Sequence, residues 1–249
     1  MIRILYQDEH LLLVEKPAGL SAQEDTAGGD SLPRQLAEQG LPVLPVHRLD
    51  KDTGGVMVYA RTKPAAAGLS AIVGQHEIFQ KEYIALVSGC PQPTRGELRD
   101  LLYHDVRRNK SYVVTRERRG VRRAALSYAV AGSFAVESGP VSLVRVRLHT
   151  GRTHQIRVQF ASRRMPLLGD ARYGGVRGCP LALYSCRLTF PHPVTGEIVS
   201  AACLPDSHAA PWSWIPGEWT QRISPAFPVD GGDDLCYTDV QLKQGGTNP

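Results

Sequence analysis

Along residues 144–149 the chain reads Val-Arg-Val-Arg-Leu-His, apolar and basic side chains in strict alternation. A period of two puts one set on a core and the other outside, so the segment predicts a half-buried strand with a basic outer face. Apolar runs at residues 2–6 and 11–14, around a polar turn at 7–10, predict two more strands; residues 56–59, 81–88 and 124–131 predict three others. Helix signals are fewer. Ser31 precedes Leu-Pro-Arg-Gln-Leu-Ala-Glu as an N-cap, with Pro33 tolerated in the first turn. Thr62-Lys-Pro opens an Ala-rich helix reaching about Gly74, and after Gly151, Thr153 stands where it could cap a helix whose Ile156 and Phe160 share a face. Residues 186–190 and 197–201, linked through Pro-His-Pro-Val-Thr-Gly, predict a hairpin. Strands and helices mix without a regular βαβ repeat, so the expected class is α+β.

No long Pro/Gly linker interrupts residues 1–222, which are read as one domain; residues 223–249, with four aspartates and few apolar side chains, are expected to form a poorly ordered tail. The composition, 42% hydrophobic and 21% charged, is that of a soluble globular protein. The apolar runs fall far short of the roughly 20 residues of a membrane helix. The first ten residues lack the basic-then-apolar order of a secretory signal, so a cytoplasmic location is expected. Five scattered cysteines, none in a CxxC pair, argue against a zinc site and for reduced thiols, and no metal is expected.

Charge changes the picture more. Residues 107–123 hold eight Arg or Lys against the single Glu117, more than the whole net charge of +5. A basic patch on a near-neutral body suits a polyanion.

Three segments could carry chemistry. In PVHRLDKDTGG (residues 45–55) the carboxylate of Asp50 lies among basic residues in a loop entering a strand. In HTGRTHQIR (149–157) a basic strand turns into a helix whose first turns carry Arg152, His154, Gln155 and Arg157. In QKEYIALVSG (80–89) Tyr83 opens a strand with a ring that can stack on a base and a hydroxyl that can move a proton. Singly, each has an ordinary structural reading: a turn aspartate, a solvated helix, an edge tyrosine.

Together, and in this order, they resemble the RluA family of pseudouridine synthases, which act on large-subunit ribosomal and transfer RNA. The matches are ILYQDEH (4–10), KPAGL (16–20), HRLD (47–50), KEY (81–83), GRTHQIR (151–157), GDARYG (169–174) and FPHPVTGE (190–197), spanning residues 1 to about 205. The chain departs from the pattern at Gly54, where serine is usual, at Gln159, where histidine often follows HQIR, and at Tyr184, where histidine is common. The match begins at the first residues, so a protein without the small N-terminal RNA-binding (S4) domain of many relatives is expected.

The resemblance implies a pseudouridine synthase fold, with a central mixed, mostly antiparallel sheet flanked by helices and loops. It implies an isomerase needing no cofactor, acting on structured RNA (rRNA or tRNA), and a monomer is the default. It makes Asp50 the nucleophile toward a flipped-out uridine, Tyr83 its stacking partner and Arg157 the cation beside Asp50. Arg48, which helps fill the space left by the base, His47, Arg152 and His154 join Arg107, Arg108 and Lys110 of the basic stretch as candidate RNA contacts. Two rivals differ in class. An RNA-binding module of the same fold would carry a decayed set, yet all three catalytic types are present. A glycosidase would need two carboxylates flanking the bond, and Asp52 stands only two residues from Asp50 in basic surroundings.

Overall fold

Alternating apolar residues give one sheet a core on each face. In this computed structural model, residues 1–24 and 29–217 are described, so the expectation for residues 223–249 lies outside the described residues. The strands are β1 Arg3–Gln7, β2 Leu11–Lys16, β3 Leu44–Pro45, β4 Gly54–Ala60, β5 Gln80–Ser88, β6 Arg95–Asp105, β7 Lys110–Val114, β8 Val121–Val136, β9 Gly139–Leu148, β10 Leu183–Pro191 and β11 Ile198–Ala202. Their order is β1-β2-β4-β10-β5-β9-β8-β6-β7, with β3 added to β4 and β11 to β10. Among the described strands only β4 and β10 run parallel, pairing Gly54 with Tyr184 and Gly55 with Ser185. The sheet is thus mixed and mostly antiparallel, and the class is α+β.

The helices are α1 Leu32–Glu38, α2 Lys63–Ile72 and α3 Gln155–Ala161. Leu32 and Leu36 of α1, with Ile156 and Phe160 of α3, cover the face bearing Leu12, Met57, Tyr83 and Val146. Ala65 and Leu69 of α2 cover the other, where the rings of Phe79 and Phe190 stack 4.8 Å apart.

Two expectations need correction. Thr153 does not cap α3: His154 is the N-cap, at a left-handed φ of 54° and without a side-chain capping bond. The Thr153 carbonyl instead accepts the Ser111 hydroxyl at 2.6 Å. The outer face of β9 is not uniformly exposed, since Arg145 is buried and paired with Glu82 of the neighbouring β5 at 3.2 Å. The basic stretch of residues 107–123 forms the β6–β7 turn, strand β7 and the start of β8.

Two features explain the matched strings. His192 Nδ1 accepts the backbone N–H groups of Val194 and Thr195 at 3.2 and 3.0 Å, which leaves the Nε2 hydrogen for Asp8 at 3.1 Å. The FPHPVTGE turn is so tied to the YQDEH turn near the start of the chain. The departures at Gly54 and Tyr184 meet in space: a Cβ on Gly54 would lie 3.1 Å from the Tyr184 ring. The ring takes up the space where a larger residue at 54 would sit, and its hydroxyl donates to Glu15 at 2.6 Å.

Candidate active site

Strand β2 ends at Lys16, whose fully buried ammonium donates to the carbonyls of Pro17, Leu20 and Lys51 at 2.8, 2.7 and 2.8 Å. Burial pulls this ammonium down to about 8, opposed by the carboxylates of Asp52 and Asp50. All three of its donors are used on backbone, so KPAGL is bolted to HRLDKD. The same loop is held at its other end by His47, whose Nε2 accepts the Val58 N–H of β4 at 3.2 Å, and internally by Thr53 N–H donating to the Asp50 carbonyl at 3.0 Å. Gly55, at φ +115°, lies where a Cβ would come 2.1 Å from the Ser185 carbonyl oxygen. Only glycine allows β4 to approach β10 this closely just after the loop.

Asp50 faces Arg157 of α3. Arg157 donates to Asp50 Oδ2 at 3.1 Å, but its fork goes to Asp170, Nε at 2.7 Å and the second terminal nitrogen at 2.8 Å. Asp170 is buried and also accepts the N–H groups of Arg172 and Tyr173, both at 3.2 Å. Burial works against the Arg157 charge, and the two carboxylates more than offset it, so its pKa is raised. Asp50 Oδ1 accepts no hydrogen bond among the described residues, leaving one carboxylate oxygen available to the cleft.

His154 brings Nε2 to 3.7 Å from Asp50 Oδ2, and its Nδ1 lies 3.0 Å from the Tyr173 hydroxyl. Burial first, then Arg157, Arg172 and His104, push the imidazole down to about 4 against the pull of Asp50. It is neutral at neutral pH, so its contact with Asp50 is not an ion pair. Tyr83, on β5, is buried in the cleft wall; burial and then the Asp50 charge raise its phenol well above the ordinary tyrosine range, so it stays protonated.

These groups line a cleft of about 410 Å³ that also takes in His47, Arg48 and Arg152. Arg48 is exposed at its rim. Arg107, Arg108 and Lys110 do not line it. They lie on the β6–β7 hairpin, where Arg172 donates to the carbonyls of Arg108 and Asn109 at 3.1 and 3.0 Å and the Lys110 ammonium sits 5.3 Å over the Tyr173 ring. Asp170 and Lys16 were given no role in the sequence reading, although both lie within matched strings, GDARYG and KPAGL. Among the described residues no cluster of three or more His, Cys, Asp or Glu could hold a metal ion, and no helix is long and apolar enough to cross a membrane.

The buried imidazoles set a pH dependence. Burial lowers His47 to about 3, and His76 and His154 to about 4. An unfolded histidine titrates near ~6.5. These groups therefore cost nothing above that value, but below it only the unfolded chain takes up their protons, and stability falls as pH drops toward 4. Thermal melts between pH 7.5 and 4.5 should show a steadily falling midpoint, and a flat profile would contradict this electrostatic account.

A family model described as RNA pseudouridylate synthase matches residues 10–162. The chain is 34% identical over 220 residues to a ribosomal large subunit pseudouridine synthase D of Zymomonas mobilis, covering 80% of this chain and 67% of that protein. It is also 34% identical over 237 residues to an uncharacterized RNA pseudouridine synthase of Aquifex aeolicus, covering 86% and 73%. The chain spans 65–67% of the length of the synthase D proteins of Zymomonas mobilis and Xanthomonas campestris. In fold it is similar to human RNA pseudouridylate synthase domain containing 1, with a TM-score of 0.71, 24% identity and coverage of 85% and 86%.

Proposed function

The chain belongs to the RNA pseudouridine synthase family, in its RluA branch, and from that premise we propose that it isomerises specific uridines of ribosomal or transfer RNA, with Asp50 acting on a flipped-out base. In this reaction the C1′–N1 bond breaks, the uracil turns, C5 bonds to C1′, and the hydrogen on C5 is replaced by one on N1. No atom is gained and nothing is oxidised. The observation that carries the reading is the asymmetry of Asp50: Arg157 holds Oδ2 at 3.1 Å, while Oδ1 is free to meet the ribose. The carboxylate serves equally for attack at C1′ and for elimination through a glycal.

The uracil would lie against Tyr83, with Leu148, Ile156 and Leu183 as apolar neighbours in the cleft wall. Stacking on such a ring is worth about 1–3 kcal/mol per base. Because the Tyr83 phenol is held protonated, it is a hydrogen-bond donor first and a base only at a cost. Tyr83→Phe separates ring from hydroxyl. A rate within about threefold of wild type would leave stacking as its sole duty, whereas a fall of roughly a hundredfold, the scale of general acid–base contributions, would put the hydroxyl in proton transfer.

Extruding a base costs a few kcal/mol, least in loops and distorted stems, so splayed structured RNA is the expected substrate. Relatives named for the large ribosomal subunit make that RNA the first to test, and transfer RNA the second. The β6–β7 hairpin with Arg107, Arg108 and Lys110 would track the RNA backbone outside the cleft. Reversing the charges of Arg107 and Arg108 should then weaken RNA binding and flatten its salt dependence without altering the bound rate; an unchanged salt slope removes the hairpin from the interface.

The test of the activity is tritium release from RNA labelled at uridine C5. Release without chain cleavage or free uracil supports the synthase. Failure on full-length large-subunit ribosomal and transfer RNAs, with retained RNA binding, would favour a binding module.

A further inference from the structure

One end of the cleft is left unexplained by the chemistry at Asp50. Its wall there is made by Val73 and Gly74 after α2, His76, Lys81, His149 and Arg152. Lys81 is 9% exposed, and its ammonium has one hydrogen bond among the described residues, to the Val73 carbonyl at a long 3.4 Å. The Phe79 ring lies 5.1 Å away. Lysine is seldom buried without a carboxylate partner, yet among the described residues the only acidic one lining the cleft is Asp50, which is held by Arg157. His76 adds a second orphan: its Nδ1 is buried with no partner. Lys81, Arg152 and His149 all act electrostatically on His76, so the four form one neighbourhood. Buried polar groups without partners call for a missing ligand, and the Lys81 ammonium among them calls for an anion.

Resting on the reading of the cleft as a uridine site, we propose that Lys81, with His76 and Arg152 beside it, binds a backbone phosphate adjacent to the target nucleotide. The non-bridging oxygens would accept the two idle N–H donors of the Lys81 ammonium. The burial that pulls this ammonium down to about 8 is relieved when an anion arrives. Tyr83 follows Lys81 by two positions on β5, so the same strand would hold the base and the phosphate beside it. The site would fix the register of the strand so that one nucleoside, and not its neighbour, faces Asp50.

The test uses the full chain and an RNA nonamer of adenosines with one central uridine. Three forms are compared: all-phosphate, and forms with an uncharged methylphosphonate on the 5′ or the 3′ side of the uridine. Affinity is measured for wild type, Lys81→Met and Lys81→Arg. One of the two neutral linkages should weaken wild-type binding about tenfold, the scale of a charge-assisted hydrogen bond. Lys81→Met should bind the all-phosphate RNA correspondingly weakly and be indifferent to that linkage, and Lys81→Arg should stay close to wild type. Lys81→Met should also flatten the salt slope by about 0.7, the single-strand value for one phosphate. The proposal is overturned if wild type tolerates both neutral linkages. It is equally overturned if Lys81→Met keeps the full wild-type discrimination while melting at a lower temperature, because Lys81 then only braces the end of α2. The wild-type arm needs no mutant and holds even if Lys81→Met fails to fold. Tritium release, measured separately, tells the two readings apart: release without linkage discrimination removes the phosphate site alone, and discrimination without release removes the activity alone.

Discussion

Asp50→Asn is expected to abolish tritium release, with a loss of at least about three orders of magnitude, as is seen when an enzyme's nucleophile is deleted. The substitution keeps the shape and removes the charge. An amide oxygen can still accept the Arg157 N–H now donated to Oδ2 at 3.1 Å, and Arg157 keeps its fork on Asp170, so the fold should be unaffected. The diagnostic result is a pair of measurements on one sample: a melting midpoint within a few degrees of wild type, and no turnover. A well-folded Asn variant with a substantial rate would remove the carboxylate from the mechanism. Asp50→Glu is a finer probe, because the added methylene pushes the reacting oxygen past its position, and a displacement of about 1 Å can cost about a hundredfold.

Arg157→Ala should act on stability and rate together. The guanidinium is nearly buried, with 7% of its side chain exposed, and Asp170 is at 0%. Removing it leaves Asp170 without its bidentate partner and Asp50 without its nearest cation. Breaking a buried pair from one side costs about 3–5 kcal/mol, a large part of the total stability of a domain of this size. If the cost comes from the stranded Asp170, then Asp170→Asn in the Arg157→Ala background should recover part of it, and the two changes will be far from additive. Denaturant titrations of the two single variants and the double variant measure this coupling. A fully stable and active Arg157→Ala enzyme would end the account of a cation that organises the site.

How much of this was legible in the chain depends on distance along it. The alternation at residues 144–149 and the cap at Ser31 are local signals, and β9 and α1 formed as expected. Strands β6 and β7 gave no such signal. Residues 95–105 mix charged and apolar side chains without a period, and they become a strand because β8 offers nine partners in register, Arg95 with Ala129 through Tyr103 with Val121. Thr153 was the reasonable cap by residue type, but the hairpin takes its carbonyl through Ser111, and His154 turns into the left-handed region instead. The residues of the site were legible only through motif order. Nothing near Asp170 says that it faces Arg157: in GDARYG an aspartate reads as a turn former, and in part it is one, accepting the N–H groups of residues 172 and 173. Lys16 reads as a strand-end lysine in water, and burial by the two loops it bridges reverses that.

The three carbonyls gathered by Lys16 have a bearing on motion. Together with the Val58 N–H on His47, they tie the Asp50 loop to its neighbours at both ends, and the Asp170 fork does the same for the opposite wall. Under the activity proposed above, a cleft braced on both sides would lose little ordering entropy when substrate arrives, and most of the conformational adjustment would pass to the RNA. Selection among uridines would then turn on how readily each one leaves its own helix, and the plasticity of the transcript, rather than that of the protein, would decide which site is modified.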